Sequence, residues 1–395
     1  MELKRIYLDH AATSWPKPEA VYTAMDEYAR RCGAAAGRGG YLRAVEAGRR
    51  VTAARLAIAR LLRVTDERRI VLASNGTDAL NLAIHGLLRA GDHLVTTDAE
   101  HNSVLRPAAW LSRHQGVQVT HVPCGPTGRV EVADLLAALR PETRLLAVVH
   151  ASNVTGAVND IESLSAECQR RGVLLLVDAA QSVGQWPLEV SDAGPDLVAA
   201  PGHKSLQGPL GTGWLYVGPR AERQLQPTRQ GGSGGDSERE EPPAELPERF
   251  EAGNLNVPAL VGLEAGVGAV ERQGVATIQQ HHAECRQRLI AGLAGIPGIT
   301  VVGEARGRSP GEGDRRVGVA SITLEGYDPQ ELAGILDGEF GIETRAGLHC
   351  APRLHRAVGT LATGGAVRFS FGCSTTDDDI DAAIAAVRAI AGLGE

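Results

Sequence analysis

Lysine is almost missing from this chain. Of its 40 basic residues only Lys4, Lys17 and Lys204 are lysine; the rest are arginine. Arginine keeps its proton at any useful pH, so chemistry that needs a nucleophilic amine must use a lysine. Lys4 and Lys17 lie near the start, where either cation would serve. Lys204 lies in the body of the chain, within Ala199-Ala200-Pro201-Gly202-His203-Lys204. It reads as an amine that forms an imine with a carbonyl, against the plainer reading of a solvated surface lysine. An excess of positive charge is also missing: net charge is −7 and the isoelectric point is near 6.0. That excludes a nucleic-acid footprint or a surface built for anionic membranes. No apolar run approaches the ~18 residues of a membrane span, and no signal-like apolar segment precedes Ile6. Cysteines 32, 124, 168, 285, 350 and 373 include no C-x-x-C pair, which argues for reduced thiols over a disulfide frame or a zinc site. The expectation is a cytoplasmic enzyme, without metal, whose 395 residues give room for two or three domain-sized units.

What is present is a strand–helix alternation. Ile6-Tyr7-Leu8 reads as an extended arm, and the spacing predicts helices over 18–31 and 45–62. From Arg69 onward, strand-like segments at 70–73, 93–97, 117–122, 144–149, 173–177, 196–200 and 214–217, with 173–177 an unbroken apolar run, alternate with helical segments at 79–89, 131–139 and 161–171. Repeated units of this kind predict a parallel-rich sheet with helices on both faces. Residues 229–249 shift to glycine, proline and acid, and read as a mobile loop or hairpin that could cross to a partner. A long helical region at 257–293 leads to strands at 299–302, 317–324 and 366–370, with helices at 329–336 and 376–391.

Three groups fall just past strand ends: His101, Asp178 with Gln181, and Lys204. Ser74-Asn75-Gly76-Thr77-Asp78 leads from a strand into the helix at 79–89, a junction whose unpaired amides and dipole suit a phosphate, though an ordinary capped helix looks the same. Together these are the parts of a pyridoxal 5′-phosphate (PLP) site. A lysine holds the cofactor, a carboxylate keeps the pyridine nitrogen protonated, a flat ring stacks, and a helix start carries the phosphate.

The chain resembles, nearly end to end, a class V, fold-type I PLP enzyme, and within that class a cysteine desulfurase or selenocysteine lyase. The resemblance rests on Leu8-Asp9-His10-Ala11-Ala12-Thr13, Asn75-Gly76-Thr77-Asp78-Ala79, Glu100-His101-Asn102, Ser152-Asn153-Val154-Thr155-Gly156, Val177-Asp178-Ala179-Ala180-Gln181-Ser182, Gly202-His203-Lys204, Phe250-Glu251-Ala252-Gly253, Arg345-Ala346-Gly347-Leu348-His349-Cys350-Ala351 and Val367-Arg368-Phe369-Ser370. The Arg-x-Gly-x-His-Cys-Ala loop is similar to the second group of desulfurases. By that resemblance Lys204 would hold the cofactor and shuttle protons, Asp178 would pair with the pyridine nitrogen, Gln181 with the ring hydroxyl, and His101 would stack on the ring. Gly76, Thr77 and His203 would hold the phosphate. Arg368 and Asn153, beside Ala11, would bind the substrate carboxylate. Cys350 would take sulfur from L-cysteine as a persulfide and pass it to an acceptor protein. Arg345, His349, Arg353 and His355 supply potential positive charge around that thiol, which as a thiolate is the nucleophile. The plainer alternative for Cys350 is a buried core cysteine.

The resemblance also implies a large domain at 16–257 with a mostly parallel seven-stranded sheet sandwiched by helices. A smaller α+β domain at 258–395, joined by an arm at 1–15, and a homodimer with pockets at the subunit boundary would complete the architecture. Asn254 stands where relatives place a threonine that reaches the neighbouring subunit's phosphate, Pro201 where many carry a hydroxyl, and Leu348 where many carry a histidine. Readings left open are selenocysteine as substrate, a class V aminotransferase or β-lyase that does not use Cys350, and a scaffold that has lost its cofactor.

Overall fold

Strands alternate with capped helices along most of the chain, as the apolar runs predict. The computed structural model describes residues 4–392 except 38, 191–192, 233–237, 239, 242 and 305–314. In chain order the strands are β1 (Ile6–Tyr7), β2 (Ile70–Ala73), β3 (His93–Thr97), β4 (Gln118–Val122), β5 (Thr143–Val149), β6 (Leu174–Asp178), β7 (Leu197–Pro201), β8 (Gly213–Val217), β9 (Ile299–Val301), β10 (Val319–Leu324), β11 (Ile342–Glu343), β12 (Arg345–Gly347) and β13 (Ala366–Ser370). One seven-stranded sheet has the order β2-β8-β7-β6-β5-β3-β4. β8 is antiparallel to β2 and β7, and the other neighbours pair in parallel. This is the mixed α/β, fold-type I architecture expected.

The middle of the sheet is apolar on both faces. Leu175 and Val177 of β6 enter one core, with Val51, Ile58 and Leu260 of helices 42–61 and 257–273. Leu174 and Leu176 enter another, with Leu80, Ile84 and Leu111 of helices 76–87 and 102–115. Alternate residues of a strand face opposite ways, so a strand between two helix layers must be a continuous hydrophobic run. Burying each such leucine contributes about 1.5–3 kcal/mol.

The later strands form an antiparallel sheet, β12-β13-β10-β9, backed by helices 275–293, 329–340 and 377–390. The arm joins that layer: β1 pairs with β11, and Ile6 and Leu8 enter its core. Among the described residues, no helix is long and apolar enough to cross a membrane.

Several boundaries differ from the sequence reading, each for a local reason. The helix expected from Ala79 begins at Gly76, because Asn75 Oδ1 caps the Asp78 amide at 2.9 Å. The helical region 257–293 is two helices, broken where Gly274 takes φ +83°. Helix Asn102–Gln115, with Pro107 inside it, has no counterpart in the sequence reading. Residues 233–237, 239 and 242 of the expected loop lie outside the described residues; the rest is irregular, with Leu246 buried in it and Phe250 buried just past it.

One buried ion pair ties that segment to the sheet edge. Arg55 and Glu251 are both buried and form a bidentate pair, with Nη1 to Oε1 at 2.6 Å. Glu251 Oε1 also accepts the Leu72 amide, and Arg55 Nη1 donates to the Ile70 carbonyl, both at 2.5 Å. Removing one partner strands the other charge in the interior. Glu251→Ala is therefore expected to lower the unfolding free energy by about 3–5 kcal/mol, read as a reduced denaturation midpoint in urea.

Candidate active site

The carboxyl ends of the central strands open onto a cleft with about 550 Å³ of empty space. Asn75, Gly76, Thr77, His101, Ser103, Asn153, Asp178, Gln181, Pro201, His203 and Lys204 all line it. Parallel α/β sheets place ligands at this edge because helix starts and strand ends converge there. Asp178 is the last residue of β6, and Lys204 follows β7 by three residues.

Lys204 faces the cleft, ringed by protein, and no hydrogen bond or ion pair to its amine occurs among the described residues. Burial lowers its ammonium to about 8; Asp178 works against that shift, while Arg368 and Arg345 add to it. Asp178 is raised by burial, with Oδ1 accepting the Ala180 amide at 2.9 Å. A carboxylate and an amine, each penalised for its charge, share one pocket.

His101 is held by capping geometry. It is the N-cap of helix 102–115, and its Nδ1 accepts the Ser103 amide at 3.1 Å. Burial, reinforced by Lys204 and nearby arginines, lowers it to about 4. The ring is therefore neutral near pH 7, and the capping bond places its proton on Nε2. Ser103 Oγ lies 2.8 Å from that Nδ1 and 2.7 Å from Thr77 Oγ1, linking the His101 ring to the start of helix 76–87. His203 is lowered to about 4 by burial, and its buried Nδ1 has no partner.

Glu100 pins the floor. Its carboxyl accepts from Thr97 Oγ1 at 2.7 Å and the Val149 amide at 2.9 Å, joining the ends of β3 and β5, and burial pushes it up to about 8. Gly76 is needed for close approach: a Cβ there would lie 3.0 Å from Pro201 Cδ.

The donor set fits PLP. It combines an unengaged amine, a buried carboxylate, a neutral imidazole fixed by its own cap bond, and an orphaned imidazole nitrogen in the same cleft as the start of helix 76–87.

Arg368, in β13, is almost fully buried at the side of the cleft. Nη2 donates to Asp9 Oδ1 at 2.5 Å and Nη1 to the Asn153 carbonyl at 3.3 Å, while Nε has no partner. Ala11 lies between the two halves: its carbonyl accepts Gln181 Nε2 at 2.9 Å, and its amide donates to Ser370 Oγ at 2.9 Å.

Cys350 is not a lining residue, but its loop is tied to the cleft. The Asn102 amide donates to the Cys350 carbonyl at 2.7 Å, and Asn153 Nδ2 donates to the His349 carbonyl at 2.7 Å. His349 and Cys350 take φ of +48° and +56°, a left-handed conformation that costs non-glycine residues about 1–2 kcal/mol each. Cys350 is the one exposed cysteine of the six. Burial pushes Cys124 and Cys285 up to about 11 and Cys168 to about 12, and raises Cys373.

The cationic setting expected around Cys350 takes a different form. His349 and His355 stack on one another, ring centroids 5.5 Å apart, and burial lowers them to about 3 and 4. Neither carries charge near pH 7, and Arg353 is paired with Asp98 at 2.9 Å. Asn254 lies elsewhere, in a second groove with Tyr41, Arg55 and Leu246. Sequence reasoning passed over Ser103, Glu100 and Asp9. The last two sit in motifs that it did single out, and only the fold shows what they hold.

A family model described as aminotransferase class-V matches residues 6–383. A probable cysteine desulfurase of Methanothermobacter thermautotrophicus is 35% identical over 393 residues, covering 98% of this chain and 95% of that protein. The apo structure of cysteine desulfurase from Thermococcus onnurineus NA1 superposes with a TM-score of 0.89 at 29% identity, covering 98% of this chain and 95% of the other. Cysteine desulfurase CsdA from Escherichia coli, in an S-sulfonic acid form, gives 0.83 at 27% over 98% and 95%. With the cleft, the family model and full-length relatives in agreement, the chain belongs to the class-V aminotransferase family, among its cysteine desulfurases.

Proposed function

We propose that the protein converts L-cysteine to L-alanine with PLP as cofactor and keeps the sulfur on Cys350 as a persulfide for an acceptor protein. The observation that carries this reading is the Cys350 loop. It presents the chain's one exposed cysteine on a strained backbone whose carbonyls are held by Asn153 and Asn102 at the rim of the lysine cleft. A site with no use for a thiol has no reason to hold one there.

When bound, PLP supplies an electron sink that makes the substrate carbon–sulfur bond breakable. Lys204 would join it, Asp178 would face its ring nitrogen, Gln181 its hydroxyl and His101 its face, with Thr77, His203 and the amide of Gly76 around the phosphate. Asn254 would complete the phosphate site from a second copy of the chain, in a homodimer. Arg368 binds the substrate carboxylate through its unpartnered Nε edge, while Asp9 and the Asn153 carbonyl hold its other nitrogens. The Lys204 amine, near 8, accepts and returns a proton close to neutral pH. Cys350 as thiolate attacks the substrate sulfur. The carbon–sulfur bond breaks, a sulfur–sulfur bond forms, and the carbon keeps the electron pair and takes a proton. One thiol hydrogen thus ends on alanine, and no outside oxidant is needed. Location in the cytoplasm accords with six unpaired thiols.

In protein stripped of PLP, acylation of the free Lys204 amine, read by peptide mass, is expected to rise about tenfold per pH unit and level off near pH 8, because burial disfavours the charged form; an ordinary lysine would keep rising toward about 10.5. With L-cysteine and dithiothreitol the protein should form alanine and sulfide in equal amounts. Cys350→Ser should keep the visible absorbance of the bound cofactor yet lose at least about 100-fold of sulfide formation. Pyruvate in place of alanine, or sulfur still reaching an acceptor from Cys350→Ser, overturns the persulfide reading. Relative turnover of L-selenocysteine and L-cysteine sets the substrate preference.

A further inference from the structure

Donors from one short segment of the arm converge on a single carbonyl beside Lys204. The His203 carbonyl oxygen accepts from the Ser14 amide at 3.1 Å, Thr13 Oγ1 at 3.0 Å, Ser14 Oγ at 3.3 Å and Lys17 Nζ at 2.7 Å. A peptide oxygen offers two lone pairs, so this one is oversupplied, and the charged donor is the nearest. Lys17 Nζ is also 2.8 Å from Ser14 Oγ. By sequence alone, position 17 is one where either cation would serve. Its ammonium is instead drawn inward, and burial lowers it to about 8. A compact point donor suits one carbonyl in a tight space, where arginine would bring a planar fork with five N–H groups to satisfy. In a chain with three lysines, the one at position 17 touches the peptide that carries the one at position 204.

We propose that Lys17 is a positioning residue. From just past the N-terminal arm it fixes the His203–Lys204 peptide, and so sets how the Lys204 amine and the His203 ring project into the cleft. The inference rests on the role given to Lys204 above. Lys17 does not line the cleft; it acts through the carbonyl it holds.

The test uses holoprotein loaded with PLP, comparing the parent with Lys17→Met, Lys17→Arg, Thr13→Val and a Lys4→Met control. The readouts are the pH midpoint of the visible absorbance of the Lys204-bound cofactor, kcat and KM for L-cysteine, and thermal unfolding. Lys17→Met is expected to bind cofactor and to unfold within a few degrees of the parent. Its absorbance midpoint should move by at least about 0.5 pH unit and its kcat fall about tenfold, with KM within about twofold. Lys17→Arg should fail to restore the midpoint, and Lys4→Met should match the parent. Parent values of midpoint and kcat in Lys17→Met overturn the inference. So does a lowered unfolding temperature with an unmoved midpoint, since that marks a merely structural lysine. If Lys17→Met does not fold, Thr13→Val decides: a smaller midpoint shift in the same sense as Lys17→Arg supports the inference, and a parent midpoint overturns it. A parent protein that develops no such absorbance overturns the proposed function and this inference with it; a parent that does, with indifferent variants, overturns the inference alone.

Discussion

Charge burial at Lys204 is the constraint on which the rest of the structure depends. An ammonium removed from water is costly unless something compensates it, and a neutral amine is what remains when compensation is partial. Asp178 and Asp9 act to keep the proton on, Arg368 and Arg345 to take it off, and desolvation exceeds all of them. The result is an amine poised near 8, close enough to neutral pH to work in both directions. Such a balance requires several charges from distant parts of the chain around one point. Parallel strands ending at one edge bring Asp178 and Lys204 together, while Arg368 and Asp9 arrive from the second sheet and the arm.

The thiols follow the same logic in reverse. Burial raises the pKa of Cys124, Cys168, Cys285 and Cys373, because a thiolate in an apolar setting is disfavoured. Those cysteines behave as small hydrophobes. Cys350 stands apart in being exposed, on a backbone held in the left-handed conformation. The two histidines beside it contribute shape rather than charge: His349 is fixed by the Arg345 carbonyl at 3.1 Å, and His355 by Thr360 Oγ1 at 2.7 Å. A stack of neutral imidazoles is a rigid support for the turn that carries Cys350, the thiol proposed above to take up the sulfur.

Much of this was legible in the sequence, and what was not has a common cause. The central strand β6 is an unbroken apolar run, and in a parallel sheet the residues after such strands fall at one edge; hence Lys204, Asp178 and His101 line one cleft. Helix starts were misplaced where a cap does the work: Asn75 lets Gly76 and Thr77 be helical although both residue types read as breakers. Helix 102–115 was hidden by Pro107, and its cap is a histidine, outside the usual capping set. The charge state of His349 and His355 was misjudged because adjacency in sequence says nothing about whether two rings bury each other. Asp9, Ser103 and Lys17 owe their roles to contacts between residues far apart in the chain, which no periodicity records.

The arm is where those long-range contacts concentrate. Within nine residues it engages Arg368 through Asp9, Gln181 and Ser370 through Ala11, and the His203 carbonyl through Thr13, Ser14 and Lys17. These partners lie in the C-terminal sheet, after β6 and after β7. A single strand of chain therefore spans the group expected to hold the substrate carboxylate, the group beside the cofactor ring and the peptide bearing the amine. Three separate contacts would each fray alone, but sharing one short backbone makes the loss of one a strain on the others, so their coupling exceeds a sum of independent hydrogen bonds. The same geometry explains why the arm folds with the C-terminal layer: Ile6 and Leu8 bury themselves there, and that anchorage leaves the polar residues that follow no freedom except to reach across the cleft.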